Sequence, residues 1–335
     1  MGTVSVIIAN FNGKKHLEKC LASLKKQTYS NCEIIVVDNG STDDSISFIK
    51  DNYPDVVVIE NKKNLGFAEA NNIGYKSAKG DYLLFINNDT EGENCFIEEL
   101  IKTLKSDKKI GVSFSKLLLM DEPQKYDTFG SYFTKTGFIY HVGYLEEDKG
   151  QYDHVKKVFS PKGVSFMVKR EVVAKTGLFD SDFFCYFEET DFFWRVWLAG
   201  YEILFSPKSV VYHKGSGTSL KLNSDLIDYH SFKNRICALL KNLALGSIIL
   251  ILPIHILLCL LISMMFLILG KLSNAKAIIK AIGWNITNLS LTLEKRKKVQ
   301  KNIRKIADRE LFKVNLKKIP FNYIWNFLKA YLKRW

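Results

Sequence analysis

The sequence predicts an α/β fold, a Rossmann-like, mostly parallel sheet with helices on both faces, followed by an apolar segment and a basic C-terminal stretch. Three observations carry this expectation. Strand-length apolar runs alternate with segments of helical spacing through the first hundred residues, which is the signature of consecutive βα units wound right-handedly. Three of those runs, starting at Val4, Ile34 and Tyr82, end in Asn or Asp; converging on one sheet edge, they suggest a polar site. Finally, residues 243–270 contain no Lys, Arg, Asp or Glu, a length that exceeds the roughly 30 Å hydrocarbon core of a bilayer at about 1.5 Å per helical residue.

Taken in order, Val4-Ser5-Val6-Ile7-Ile8-Ala9 is a β-rich run closed by Asn10-Phe11-Asn12-Gly13, and Leu17, Leu21 and Leu24 follow at helical spacing. Glu33-Ile34-Ile35-Val36-Val37-Asp38 repeats the pattern, with Asn39-Gly40-Ser41-Thr42 as loop and Asp43 at a helix start. Val56-Val57-Val58-Ile59 is a third strand, residues 65–78 a third helix, and Tyr82-Leu83-Leu84-Phe85-Ile86 a buried strand that delivers Asn87-Asn88-Asp89-Thr90 to the sheet edge. A helix around 96–104 and a strand near 111–114 come next, and residues 116–160 then lose periodicity, reading as a variable insertion with antiparallel character. Gly163-Val164-Ser165-Phe166-Met167-Val168 resumes as a strand. An aromatic loop leads into Phe187-Glu188-Glu189-Thr190-Asp191, a helix start whose acids suit the helix dipole and which runs to Gly200 as C-cap. Two short strands, 201–205 and 210–213, bring His213 to a loop.

Charge is unevenly distributed. Of the net +13, residues 271–335 hold 17 of the 48 Lys and Arg but only 3 of the 35 Asp and Glu, so the first 270 residues are near neutral. A nucleic-acid binder would carry its basic face on the folded part; an excess that follows an apolar segment points instead to anionic lipid. The six cysteines form no C-x-x-C pair, which suits ordinary thiols in a reducing compartment. The N-terminus enters a strand at once, and no secretory signal is expected.

At the site edge, Asp89 suits a hard cation, which takes one or two protein carboxylates and completes its shell from phosphate oxygens and water; turn chemistry alone also explains an Asn-Asn-Asp cluster. There is no G-x-G-x-x-G after the first strand and no P-loop, which weakens dinucleotide and P-loop readings. Glu188 and Glu189 lie beside Phe183, Phe184, Tyr186 and Phe187, where burial raises a carboxyl pKa towards general-base use. Asp191 and Arg195 are spaced i,i+4 and fit a helix ion pair.

Together these residues resemble the inverting family 2 glycosyltransferases with the GT-A nucleotide-diphospho-sugar transferase fold, most closely the membrane-associated rhamnosyltransferase-like branch that builds surface polysaccharides. The motifs occur in order: Val4-Ser5-Val6-Ile7-Ile8 with Asn10, Val36-Val37-Asp38-Asn39-Gly40-Ser41-Thr42-Asp43, Asn64-Leu65-Gly66-Phe67 with Asn71-Asn72, Asn87-Asn88-Asp89, Phe187-Glu188-Glu189-Thr190-Asp191 with Arg195, and His213. The resemblance implies that Ala9, Asn10 and Asp38 contact base and ribose of a nucleotide-sugar, with Asn71 and Asn88 in the same donor site. It implies that Asp89 and His213 hold a divalent metal, Mg²⁺ or Mn²⁺, and that Glu189 is the base, with Glu188 or Asp191 as alternatives. Three departures stand out: Asn87 at the first position of D-x-D, Asn71 where relatives place Arg, and Glu189 in place of Asp. The implied partners are a nucleotide-diphospho-sugar donor, a lipid-linked or growing glycan acceptor and membrane lipid. A polyprenyl-phosphate sugar synthase and a catalytically silent membrane scaffold are the alternatives.

The expected organisation is a catalytic domain over 1–220, a linking helix over 221–242, a transmembrane or re-entrant segment over 243–270 and a basic amphipathic tail over 271–335, with the catalytic domain on the cytoplasmic side of the cell membrane. Pro253 leaves room for a hairpin. Residues 293–309 read as a basic helix. The final stripe of Phe321, Ile324, Trp325, Leu328, Tyr331, Leu332 and Trp335 fits an interfacial helix and equally fits packing on a second subunit of a homo-oligomer.

Overall fold

A computed structural model describes residues 2–154, 157–215 and 223–318. Its first half is the expected alternation: β1 (Val4–Asn10), α1 (Lys14–Lys25), β2 (Cys32–Asp38), α2 (Ser45–Asn52), β3 (Val57–Glu60), α3 (Gly66–Ser77) and β4 (Tyr82–Ile86). The order β3-β2-β1-β4 is parallel throughout. Register pairs Asn10 with Asp38 at the carboxyl end of β1 and β2. Both polar residues therefore arrive at one edge together, the edge where open α/β sheets take ligands.

Beyond β4 the sheet becomes mixed. β10 (Ser165–Lys169) runs antiparallel to β4 and to β6 (Ile110–Leu119), which pairs in parallel with β11 (Glu202–His213). β5 (Thr90–Gly92) closes the edge antiparallel to β11, and β7 (Tyr126–Thr128) pairs with β6. The two short strands expected at 201–205 and 210–213 are one strand, with a register shift between Ser206 and Val210; a bulge there breaks the alternation that sequence patterning relies on. The antiparallel character expected of the insertion is a hairpin of β8 (Gly130–Phe133) and β9 (Ile139–Val142).

Helices α4 (Phe96–Lys105), α5 (Arg170–Thr176) and α6 (Glu188–Leu198) cover the sheet. On one face Phe85 stacks on Phe166 at 5.1 Å, and Phe166 meets Phe193 edge-on at 4.9 Å. Phe129, Phe133, Phe159 and Trp194 belong to that same buried cluster, so the insertion is part of the core and not an appendage.

The C-terminal helices are α7 (Ser224–Asn242), α8 (Leu245–Ile268), α9 (Leu272–Thr287), α10 (Leu289–Lys298) and, after a π-helical turn at Val299–Ile303, α11 (Asp308–Asn315). Pro253 lies inside α8 without breaking it. The chain reverses instead at Gly270, whose φ of +73° favours a residue without Cβ. Residues 293–309 are not one helix, and Lys295, Arg296 and Arg304 are partly buried while the other basic residues are exposed. Lys295 reaches Asp180 and Asp182, each at 2.5 Å, and Arg296 donates to the carbonyls of Leu240 and Leu243. The stripe from Phe321 to Trp335 lies outside the described residues.

Candidate active site

Three groups of side chains meet at the carboxyl edge of the sheet. The first is a polar ladder across β2, β1 and β4. The Asn10 amide donates to Asp38 Oδ1 at 2.9 Å, and the Asn88 amide donates to Asn10 Oδ1 at 2.7 Å. Asp38 also accepts from the Ser41 amide at 2.8 Å and the Ser41 hydroxyl at 2.6 Å. It is 1% exposed, so what Asp38 does here is fix the edge and the Ser41 loop. Ala9 stands half-buried one residue before Asn10. Asn71 is buried and its amide donates back to the Phe67 carbonyl of its own helix. Gly13, not singled out by the sequence, has a reason to be glycine: a Cβ there would stand 2.1 Å from the Asn88 amide nitrogen and 2.6 Å from Asn10 Oδ1.

The second group surrounds Asp89. Thr90 and His213 are register partners of β5 and β11, which sets His213 Nε2 3.3 Å from Asp89 Oδ1. His213 Nδ1 is 2.8 Å from Asp127 Oδ2, and Lys162 Nζ donates to both Asp127 oxygens at 2.8 and 2.7 Å. Burial opposes ionisation of Asp127, but the bonds from His213 and Lys162 bring its pKa down to about 2. Burial likewise works against Asp89, which the bond and charge of His213 hold below the usual carboxylate range. Burial would lower the His213 pKa, and the two carboxylates raise it.

Among the described residues no cluster of three or more His, Cys, Asp or Glu is placed to hold a metal alone. The pair nonetheless fits one. A separation of 3.3 Å is close to that of adjacent ligands at about 2.1 Å from an octahedral cation, whose remaining positions a diphosphate and water would fill. A carboxylate on Nδ1 is also the usual partner that orients a ligating imidazole through Nε2. Asp127→Ala is therefore expected to weaken Mn²⁺ binding about 10–100-fold, measured by electron paramagnetic resonance of free Mn²⁺ in the presence of nucleoside diphosphate; unchanged binding removes Asp127 from this role.

The third group is the start of α6. Tyr186 and Phe187 both have positive φ, +65° and +72°, a conformation non-glycine residues hold only when their surroundings impose it. The surroundings are evident. Asn234 of α7 donates to the carbonyls of Cys185 and Tyr186 at 2.9 and 2.6 Å, and Phe67 N donates to the Phe184 carbonyl at 2.8 Å. A Cβ on Gly66 would lie 2.3 Å from that same carbonyl. The clamped loop presents Glu188 and Glu189, each with an Oε2 that is buried and without a partner. Burial and the neighbouring Glu189 push the Glu188 carboxyl well up. Burial also raises Glu189, while its own amide, those of Thr190 and Gly163, and Lys162 pull the other way. Of the two, Glu188 is buried and Glu189 keeps part of its surface exposed.

Asp191 does not join them. It is fully buried, with Oδ1 accepting from Asn242 at 2.7 Å and Oδ2 facing Arg195 at 3.1 Å and Lys241 at 3.0 Å. As an alternative base it is corrected to a structural anion, since neither oxygen is open to an acceptor. The three groups are joined: Asn88 leads directly into Asp89, Lys162 binds Asp127, and Gly163 abuts the Glu189 side chain with its Cβ position 3.1 Å away. Asn87 N also donates to the Val164 carbonyl at 2.9 Å. Positions 38, 89, 189 and 213 thus lie along one continuous edge.

A mixed sheet with this polar edge is a GT-A-like fold. Solved structures agree with it: GalNAc-T7 with UDP, GalNAc and Mn²⁺ matches at a TM-score of 0.55 and 20% identity, over 71% of this chain and 48% of that one. The mannosyltransferase PcManGT of Pyrobaculum calidifontis, in complex with GDP-Man and Mn²⁺, matches at 0.53 and 17% identity, over 90% and 84%. Residues 5–163 match the family Glycosyl transferase family 2. An uncharacterised glycosyltransferase of Haemophilus influenzae is 32% identical over 148 residues, 43% of this chain and 45% of its own. UDP-Glc:alpha-D-GlcNAc-diphosphoundecaprenol beta-1,3-glucosyltransferase WfaP of Escherichia coli is 37% identical over 111 residues, 32% of this chain and 43% of its own. The matched stretch covers less than half the length of either relative.

Proposed function

We propose that the chain is a membrane-associated, metal-dependent, inverting glycosyltransferase that moves a sugar from a nucleotide diphosphate to a lipid-linked or growing glycan, on the cytoplasmic side of the cell membrane. The observation that carries the reading is the partly exposed Glu189 side chain on the same edge as the Asp89–His213 pair. Glu189 takes the proton of the acceptor hydroxyl while that oxygen bonds to the anomeric carbon. The bond from that carbon to the diphosphate oxygen breaks, its electron pair leaves with the nucleotide, and the anomeric centre inverts. Asp89 and His213 Nε2 would hold Mg²⁺ or Mn²⁺, which offsets charge on the departing diphosphate as a Lewis acid. Burial and the neighbouring Glu189 raise the pKa of Glu188, which favours a neutral side chain beside the base. The diphosphoundecaprenol in the name of the Escherichia coli relative supports a lipid-linked acceptor.

Donor class is open to a direct experiment. A thermal-shift panel of uridine, thymidine and guanosine diphosphate sugars, dTDP-rhamnose first, is expected to raise the melting temperature for one nucleotide class, and only with Mn²⁺ present; a ligand at 100 times its Kd adds about 2.7 kcal/mol. A panel flat with and without metal overturns the reading.

A further inference from the structure

We propose that α8 and α9 dock on the surface of one leaflet of an anionic bilayer, with α8 lying along the membrane plane and not across it; the inference rests on the membrane association proposed above. By length and hydropathy α8 qualifies as a span, 24 residues at a mean hydropathy of 2.8. A single span in lipid, however, leaves its whole circumference to lipid. Here Ile251, His255, Cys259, Ser263 and Phe266 are buried at spacings of three or four, so one face is covered along most of the helix.

What covers it is not fit for a hydrocarbon core. Ile251 belongs to the main core cluster of the folded domain. The His255 ring lies 4.5 Å from Phe138, with Nδ1 2.9 Å from the Thr136 carbonyl in the turn between β8 and β9. Cys259 and Phe266 pack with Phe232 of α7 and Ile278 of α9. The Arg235 guanidinium stands 4.7 Å from the Phe138 ring. Placing α8 across a bilayer would carry the irregular turn at Thr134–Gly137, with its exposed Lys135, to the same depth, where neither open backbone nor charge is tolerated facing lipid.

The opposite face is uniformly apolar and exposed: Leu250, Ile254, Leu257, Leu261, Met264 and Ile268. Beyond the turn at Gly270, α9 exposes Lys276 and Lys280 beside Ile279. An apolar stripe flanked by lysines suits the headgroup–acyl boundary of anionic lipid. The loop that carries Glu189 adjoins this helical unit, because Phe187 packs against Cys237 and Ala238 of α7. A lipid-linked acceptor hydroxyl would reach Glu189 from that side.

The test uses the full chain with sealed phosphatidylcholine vesicles, with and without phosphatidylglycerol. Gly246→Cys, where a side chain meets open space at the start of α8, and Ser273→Cys, in the first turn of α9 just past the other end of α8, are read against the native cysteines of the parent chain. Both should react with a membrane-impermeant maleimide added outside, and a spin label at Leu257→Cys should sit at the headgroup–acyl boundary. Leu257→Lys combined with Leu261→Lys should lower sedimentation with phosphatidylglycerol vesicles about a hundredfold and leave the thermal melt unchanged. An end that labels only after the vesicles are opened, or a spin label at the bilayer centre, overturns the surface arrangement in favour of a span. A lipid-free dimer that protects Leu257 overturns the lipid as occupant. Failure to sediment with any vesicle defeats the membrane association itself, a result distinct from the others.

Discussion

Glu189→Gln should lower the transfer rate by on the order of 10²–10⁴, the usual contribution of a positioned general base, and leave the affinity for nucleotide-sugar unchanged. The substitution keeps the shape of the side chain and its backbone amide contacts, so only proton acceptance is removed. Its neighbour gives a contrasting result. The Glu188 carboxyl is pushed well up by burial and by Glu189, and burial also raises the pKa of Glu189 itself. A base acts in its ionised form, so the rate rises with pH through that pKa. Glu188→Gln leaves the Glu189 carboxylate in place and should therefore keep both activity and the acidic limb of the pH–rate profile. Normal turnover by Glu189→Gln, measured as steady-state kcat with a saturating donor, would place the base elsewhere.

The reasons why some of this site is legible in the sequence and some is not are physical. Strand ends announce themselves locally: an apolar run followed by Asn or Asp is visible without knowing what lies beside it, and Asn10, Asp38 and Asp89 are recognisable that way. His213 is within reach because it too ends a strand. Asp127 leaves no such signal. It sits in the stretch without periodicity, and its partner His213 is 86 residues away, so only sheet pairing reveals that the two meet. Lys162 is similar, a single lysine whose meaning depends on Asp127. The mixed half of the sheet is hidden for a related reason, since β10 reverses direction after a long insertion and the bulge in β11 splits its pattern. Asp191 shows the opposite error. Its place beside two acids suggests chemistry, while Lys241, 50 residues on, determines that it is structural.

That assignment carries the second large effect. Asp191→Ala should destabilise the fold by about 3–5 kcal/mol, the cost of stranding buried charges by removing their partner. Lys241 is 3% exposed and lies between Asp180 Oδ2 at 2.6 Å and Asp191 Oδ2 at 3.0 Å, and Arg195 is buried beside it. Pairing the change with Lys241→Met removes one of the stranded charges, so the double variant should be less destabilised than the sum of its parts. The pH dependence has a definite sign. Burial opposes ionisation of Asp180, yet Lys241 and Lys295 hold its pKa well below the usual value. Its stabilisation is therefore complete above the unfolded value of about 3.9 and is lost as pH falls through the folded pKa. Glu188 behaves oppositely: its raised pKa works against the fold above the unfolded value of about 4.3, so Glu188→Gln should not destabilise at neutral pH. Denaturant melts of the four variants across acid and neutral pH test the set. An Asp191→Ala protein that melts like the parent while losing activity would return Asp191 to the chemistry.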